Sequence, residues 1–428
     1  MTSISFCHWI NETLLPNSIL DPGYPRSISV QTARLWLHEM GFEVLDKKKG
    51  VYIDGHERED VVSHRRKFLR QLIAGGFLTP ELAPSTEAKE AFPDDLDPPT
   101  LPRREKNIFI FHDETTFNAN DDESLQWGTA DSQIIRPKSR GSGMMVSDFI
   151  TERDGFLCLT EAERKKAKRS HSDMPMGART LLEYGEKRDG YWTATKFMKQ
   201  MKNAVSIAEA KYPKEDGYRL FWVFDQSSCH MAFGDDALNA SRMNASPGGA
   251  QPLMHDFEYQ GKYVRMTREV IQNGKKVRIA CGTIEVLKQL GKYRESPKMK
   301  LDEMKEILEK LPNFANEKNN LEYFLHGCGH ACLFIPKYHC ELNPIERCWS
   351  QAKRYTRAYC NYNINGLRRN VVPALDSISV ENIQNYFRRA RNYMYGYLLG
   401  HKAGIQLEKL IQKYSKEFKS HRRVPETD

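Results

Sequence analysis

The chain has 428 residues, 40% of them hydrophobic and 28% charged, with a formal net charge of +8. That balance is ordinary for a globular protein of two or three domains, and no stretch nears the roughly 18 apolar residues of a membrane span. The charge is uneven: Arg347 to Asp428 holds 16 Lys+Arg against 6 Asp+Glu, so the rest of the chain carries −2. One basic end suits a polyanionic partner, nucleic acid most simply, and a solvated tail is the blander alternative.

In chain order, SFCHWINETLLPN is apolar at helical spacing, and Ser29 to Gly41 forms a second helix that Ser29 can cap and Gly41 can end. Ala33, Leu35, Trp36, Leu37 and Met40 would give it a buried side. The pair resembles half of a helix-turn-helix unit, as would any small helical hairpin. The opening residues lack a basic stretch and a long apolar run, so no secretory signal is expected, and nine cysteines in such a chain are expected as free thiols. Arg58 to Ile73 reads as a basic helix, which closes a helical region over 1–78. Residues 79–104, rich in Pro and acid, read as an exposed linker and a domain boundary.

Beyond residue 105 the pattern turns to strands. Ile108 to His112 is an apolar run expected to stop at Asp113, and Tyr218 to Phe224 is another that stops at Asp225. Gly143 to Ile150 and Gly155 to Leu159 make two further strands around a turn, Trp192 to Ala210 has helical period, and Leu301 to Leu311 forms a helix. Residues 235–325 are otherwise polar and mixed. Ala331 to Ile335 is the last strand, and a helix opens at Pro344. Strands that first succeed one another and then alternate with helices predict an α/β fold, one mixed sheet flanked by helices.

Both aspartates end apolar strands. If those strands are neighbours, the two carboxylates share a crevice, and like charges held close require a cation. Oxygen-only donors suit Mg²⁺ or Mn²⁺. A third carboxylate, Glu346, has a plain structural reading: Asn343 as N-cap, Pro344 at the first helical position and Glu346 as a capping-box glutamate. Against it, Trp349, Ser350, Lys353 and Arg357 follow Glu346 along one helical face. A basic stripe of Lys353, Arg354 and Arg357 behind a metal-binding end is what a phosphodiester track needs, although charge runs are commonly just solvated.

Three segments carry a resemblance: His112-Asp113-Glu114-Thr115-Thr116-Phe117, Phe224-Asp225-Gln226-Ser227-Ser228-Cys229-His230, and Pro336 through Asn343-Pro344-Ile345-Glu346 to Trp349. Trp127-Gly128, Met145 to Ile150 and Asn244 to Gly249 fit the same pattern. The chain resembles the eukaryotic DDE-superfamily endonucleases, related to mariner-like transposases with a ribonuclease H-like catalytic domain, from about residue 25 to about 400. The resemblance implies that Asp113, Asp225 and Glu346 are catalytic metal ligands for two Mg²⁺ or Mn²⁺ ions. It further implies hydrolysis and strand transfer on double-stranded DNA, a homodimer or larger active assembly, and a nuclear location. His230, Lys353, Arg354 and Arg357 would contact nucleic acid, with a buried structural role the alternative for His230. Glu114 should point away from Asp113 on the strand. The catalytic domain would span 105–400 with an insertion at about 235–325, because 120 residues separate Asp225 from Glu346. Residues 401–428 would form a basic tail. A domesticated, transposase-derived DNA-binding protein without turnover is the alternative, and an RNA-directed nuclease of the same fold class a third reading. A rival cluster, His326, Cys328, His330, Cys332, His339 and Cys340, could gather zinc only without the spacer loops that wrap a tetrahedral site.

Overall fold

Two units make up the chain, residues 1–54 and 55–428. The computed structural model describes residues 6–7, 9–17, 27–40, 55–92, 106–122, 137–167, 174–272 and 274–420. In the first unit, one turn of π-helix over Ile10–Leu14 and helix α1, Val30–Glu39, share a small core of Phe6, Ile10, Ile28 and Ala33. Ser29 caps α1 as expected, accepting from the Thr32 amide at 3.1 Å, while Gly41 lies outside the described residues. The expected buried side of α1 is corrected. Leu35 is 61% exposed, and Trp36 and Met40 are exposed as well, because so small a core covers only Ala33 and part of Leu37.

The second unit opens earlier than the sequence suggested. Helix α2, Glu59–Ala74, buries Val61, Phe68, Leu69, Leu72 and Ile73, four of which join the main core. It therefore belongs with the sheet rather than with residues 1–54. The linker expected over 79–104 is also corrected across its described part. The Thr79 backbone donates to and accepts from the Tyr395 hydroxyl, and helix α3, Thr86–Glu90, buries Ala88. Leu82, Ala83 and Phe92 pack on the same core. Proline and acid content masked these few apolar anchors, while residues 93–104 lie outside the described set.

The central sheet runs β10-β5-β1-β2-β3, with β4 also paired to β2. Its strands are β1 (Asn107–Asn118), β2 (Gly143–Thr151), β3 (Gly155–Phe156), β4 (Thr180–Leu182), β5 (Arg219–Phe224) and β10 (Ala331–Phe334). β1 and β2 are antiparallel, while β5 lies parallel to both β1 and β10. This is the mixed, helix-flanked sheet that was expected. The alternation of strand side chains feeds two cores. Phe109, Phe111, Phe117 and Val223 face α10 (Ile345–Ala358), α11 (Ile364–Asp376), α12 (Val380–Leu398) and α2. Ile108, Ile110, Trp222 and Phe224 face α5 (Ala194–Lys211) and α9 (Asn320–Gly327). A short helix, α4 (Glu161–Ala167), precedes β4.

Within residues 235–325, Leu321 and Leu325 belong to the sheet core, while a third core forms around Met243, Val264, Met266, Val286, Leu287 and Leu308. Its elements are the hairpins β6–β7 (Phe257–Tyr259, Lys262–Val264) and β8–β9 (Thr267–Gln272, Lys275–Ala280), then α6 (Thr283–Gln289), α7 (Leu301–Glu309) and α8 (Pro312–Ala315). The Asn320 amide bonds the Ala232 carbonyl at 3.0 Å, so the insertion begins and ends at one place. Its Asn244 to Gly249 loop is held by Gln251, whose amide donates to the Ser246 and Gly248 carbonyls. At the far end of the chain, the expected tail is a helix, α13 (Ile405–Ser420), with Leu407, Ile411 and Tyr414 buried on the main core. No described helix is long and apolar enough to cross a membrane.

Candidate active site

Asp113 does not end its strand as the apolar run implied, because β1 continues to Asn118. It lies mid-strand on the α10 side, 8% exposed, and its Oδ2 accepts the indole N–H of Trp349 at 2.9 Å. Glu114, one residue on, turns to the opposite face as expected and accepts from the Trp192 indole at 2.8 Å. Asp225 does stand at the end of β5, directly beside β1, with its side chain about half exposed. Its Oδ1 accepts from the Ser227 amide at 3.2 Å and lies 2.5 Å from His230 Nδ1.

The helix that carries Glu346 is not capped as the sequence suggested. α10 begins at Ile345, with no side-chain bond at its N-cap. The Asn343 amide instead donates to the His112 carbonyl at 3.0 Å, tying the start of α10 to β1 next to Asp113. Ile345, Cys348, Trp349 and Ala352 bury the inner face of α10 in the main core. Glu346, one turn before Trp349, therefore sits on the Asp113 side of the sheet.

Charge shows that the three acids share one neighbourhood. Burial raises the Asp113 carboxyl well above the usual range, and the negative charges of Glu346, Glu114 and Asp225 add to the rise. Burial raises Glu346 as well; Lys353 opposes the shift, and the Asp225 charge reinforces it. Asp225 goes the other way, because the hydrogen bond and charge of His230 outweigh its burial. Two acids pushed up by burial, with neighbouring negative charge adding to the rise, are what a divalent cation would neutralise, and the donors are all hard oxygens. The residues present fit Mg²⁺ or Mn²⁺.

Two other groups, among the described residues, have donor atoms within 4.8 Å of one another: His112/Glu114/His230 and His56/His339/Glu341. Asp113, Asp225 and Glu346 do not form such a group. In the second group the hydrogen bonds are already assigned. The Arg65 guanidinium can only donate, so His339 Nε2 accepts from it at 3.3 Å, and Nδ1–H donates to Glu341 at 2.7 Å. Tyr397 donates to the same Glu341 oxygen at 2.6 Å, which completes a structural knot under α2 and α12.

Against solved structures the chain finds likenesses. The Mos1 mariner paired end complex with Mn is 10% identical with a TM-score of 0.39, the match covering 93% of this chain and 72% of that one. The Mos1 transposase paired-end complex with left transposon end gives 10% and 0.37, covering 91% and 71%. The Mos1 Strand Transfer Complex gives 10% and 0.35, covering 97% and 78%. No family model matches the chain, and no curated protein does.

The remaining site residues divide. His230 is corrected as a nucleic-acid contact: its ring is 0% exposed, packed on Phe197, Phe224 and His112, so no phosphate can reach it. Its Nδ1 engages Asp225, and its Nε2 lies 3.4 Å from Glu114. Burial alone would favour the neutral ring, but the two carboxylates outweigh it and push His230 up to about 9. On the basic stripe, Lys353 is half-buried, near enough to Glu346 and Asp113 to feel both charges, and stands over the Phe117 ring at 5.9 Å. Arg354 is exposed. Arg357 is already paired with Asp121 at 3.0 Å.

Sequence reasoning missed Trp349 as a ligand to Asp113 and the whole layer behind His230. Ser147 donates its hydroxyl to Gln200 at 2.7 Å, so His112 Nε2–H must donate to Ser147, also at 2.7 Å. Burial pushes His112 down to about 3, which keeps the ring neutral with Nδ1 as a bare lone pair. Alternation along β1 could have flagged His112 and Glu114 as one face, but nothing in the linear spacing announces their partners. The possible zinc cluster is not assembled among the described residues. His326 meets Lys318, His330 meets Glu209 and His339 meets Glu341, while burial raises the Cys332 thiol far above its usual range. Trp127 and Gly128 lie outside the described residues.

Proposed function

We propose that the chain is a DDE-type DNA endonuclease or transposase whose Asp113, Asp225 and Glu346 hold divalent metal for phosphodiester hydrolysis and strand transfer. The observation that carries the reading is electrostatic. Three acids from β1, the end of β5 and α10, distant in sequence, lie near enough that Glu346 and Asp225 raise Asp113 and Asp225 raises Glu346. Two Mg²⁺ or Mn²⁺ ions bound there would activate water or a DNA 3′-hydroxyl and stabilise the departing oxygen.

The chain's own groups supply position. Trp349 fixes one oxygen of Asp113, leaving the other for metal. His230 braces Asp225 from behind, on the side away from solvent. Lys353 offers a cation beside Glu346 for a phosphate oxygen, and Arg354 extends that charge outward. Joining two DNA ends calls for two active centres, so the same proposal includes a homodimer acting in the nucleus.

The test is nicking of supercoiled plasmid by the purified full chain with Mg²⁺, Mn²⁺ or chelator. Metal-dependent nicking that Asp225→Ala abolishes is expected. Binding without nicking would sink the catalytic reading and leave the domesticated DNA-binding alternative.

A further inference from the structure

The insertion carries a feature that its own core does not explain. Strands β8 and β9 form a two-stranded sheet with no third strand beside it among the described residues. Thr267 and Ala280 are buried at its base, while Arg268, Glu269, Ile271, Gln272 and Lys275 to Arg278 are exposed. Six residues per strand at about 3.4 Å each make a ribbon about 20 Å long. The pair Gln272 and Lys275 closes the ribbon, with Gly274 at φ 74°. An isolated hairpin is marginal in water, and Ile271 at 76% exposure adds nothing to its stability.

The ribbon's charge is equally uneven. From Thr267 to Ala280 there are four Lys+Arg and one acid, a net +3, whereas the whole of 235–325 holds 15 against 13, a net +2. The remainder of the insertion is thus −1, and its net positive charge lies on this arm. Glu269, the arm's only acid, is engaged by Lys276 at 3.7 Å, and Arg268 reaches Glu285 at 3.5 Å. Lys262, Arg265 and Lys275 make no ion pair among the described residues. Arg278, opposite Glu269 in the ladder, donates to the Thr267 hydroxyl at 2.7 Å and makes no ion pair among the described residues.

We infer that the β8–β9 ribbon is a DNA-binding arm that enters the major groove of B-form duplex. The fit is physical. A groove about 12 Å wide admits a two-stranded ribbon, and its β9 edge would bring Lys275, Lys276 and Arg278 to phosphates along one wall. Ile271 at the tip then has an apolar partner in thymine methyl groups. A-form RNA, with its narrow deep groove, would not admit the ribbon, and an acidic protein surface would offer no such slot. The inference shares DNA as partner with the catalytic proposal but does not depend on cleavage.

Fluorescence anisotropy of the full chain with a labelled mixed-sequence DNA duplex, across a salt series, tests it. The variant Lys275→Gln/Lys276→Gln/Arg278→Gln removes three exposed charges, and its fold is checked by circular dichroism and thermal melting. If each charge meets a phosphate, the slope of log affinity against log salt falls by about 2.7. The loss of affinity between about 50 and about 200 mM salt is then about 40-fold smaller in the variant than in the parent. An unchanged slope, or equal competition by an RNA duplex, overturns the arm. Plasmid nicking by the same proteins is scored separately: a slope change without nicking keeps the arm and discards the nuclease, and the reverse result does the opposite.

Discussion

The bond between Trp349 and Asp113 can be weighed directly. Its donor and acceptor are 2.9 Å apart and both residues are buried, so water cannot replace either partner. Trp349→Phe deletes the N–H but also trims the ring, so the single variant mixes two effects. A double-mutant cycle with Asp113→Asn separates them, since the ring term is common to both backgrounds. A bond to an ionised acceptor contributes about 1.5–3 kcal/mol, and the neutral amide of Asn retains about 0.5–1.5. The expected coupling is the difference, about 1–2 kcal/mol, where Asp113 is ionised. Burial and the neighbouring acids raise Asp113 well above its ordinary range, so coupling grows as pH rises through that raised value and fades as the solution is acidified. Urea unfolding in chelator, repeated across pH, measures it. Coupling below about 0.5 kcal/mol at every pH refutes the argument that this indole positions a carboxylate.

Three further outcomes follow from the same geometry. Because the folded-state carboxyl of Asp113 is raised above its unfolded value, its contribution to stability is full in acid and is lost as pH rises through the folded value. Asp113→Asn should therefore melt higher than the parent in chelator, by a margin that grows with pH, while losing stabilisation by Mg²⁺; parallel melting curves would contradict this. His230→Asn removes the brace on Asp225 and should weaken Mg²⁺ binding about 10–100-fold, read by tryptophan fluorescence titration, with His230→Gln partly restoring it. Asp148, opposite Asp113 on β2, is buried and neutralised by Arg179 at 2.6 Å. Arg179→Met should cost about 3–5 kcal/mol by chemical denaturation, less in acid where Asp148 takes up a proton, and a loss under about 1 would deny that the pair matters.

Much of the sheet was legible because period-two apolar runs have few other uses. Ile108 to His112, Tyr218 to Phe224 and Ala331 to Ile335 all form strands, and the second lies between the other two. Where local chemistry had two outlets, the sequence misled. Asn343 and Pro344 looked like a helix cap, yet the Asn343 amide is spent on a β1 carbonyl. His230 looked available to phosphate, but tertiary packing closed over it. The stretch after Leu78 read as linker because its prolines outnumber its anchors, although Ala88 and Thr79 are held by α12 and the core around it. Asp113 seemed to end a strand because apolarity stops there, while the backbone pairing continues through five more residues.

The closed base of the insertion has a consequence for how such chains are compared. Ala232 and Asn320 are hydrogen-bonded neighbours, and the polypeptide between them folds around its own methionines and leucines. Length can be added or removed inside that loop without displacing β5, α9 or the helix beyond. The count of residues from the second acid to the third is then free to drift while the acids stay put, and relatives sorted by that count alone would be separated by a number their active centres never feel.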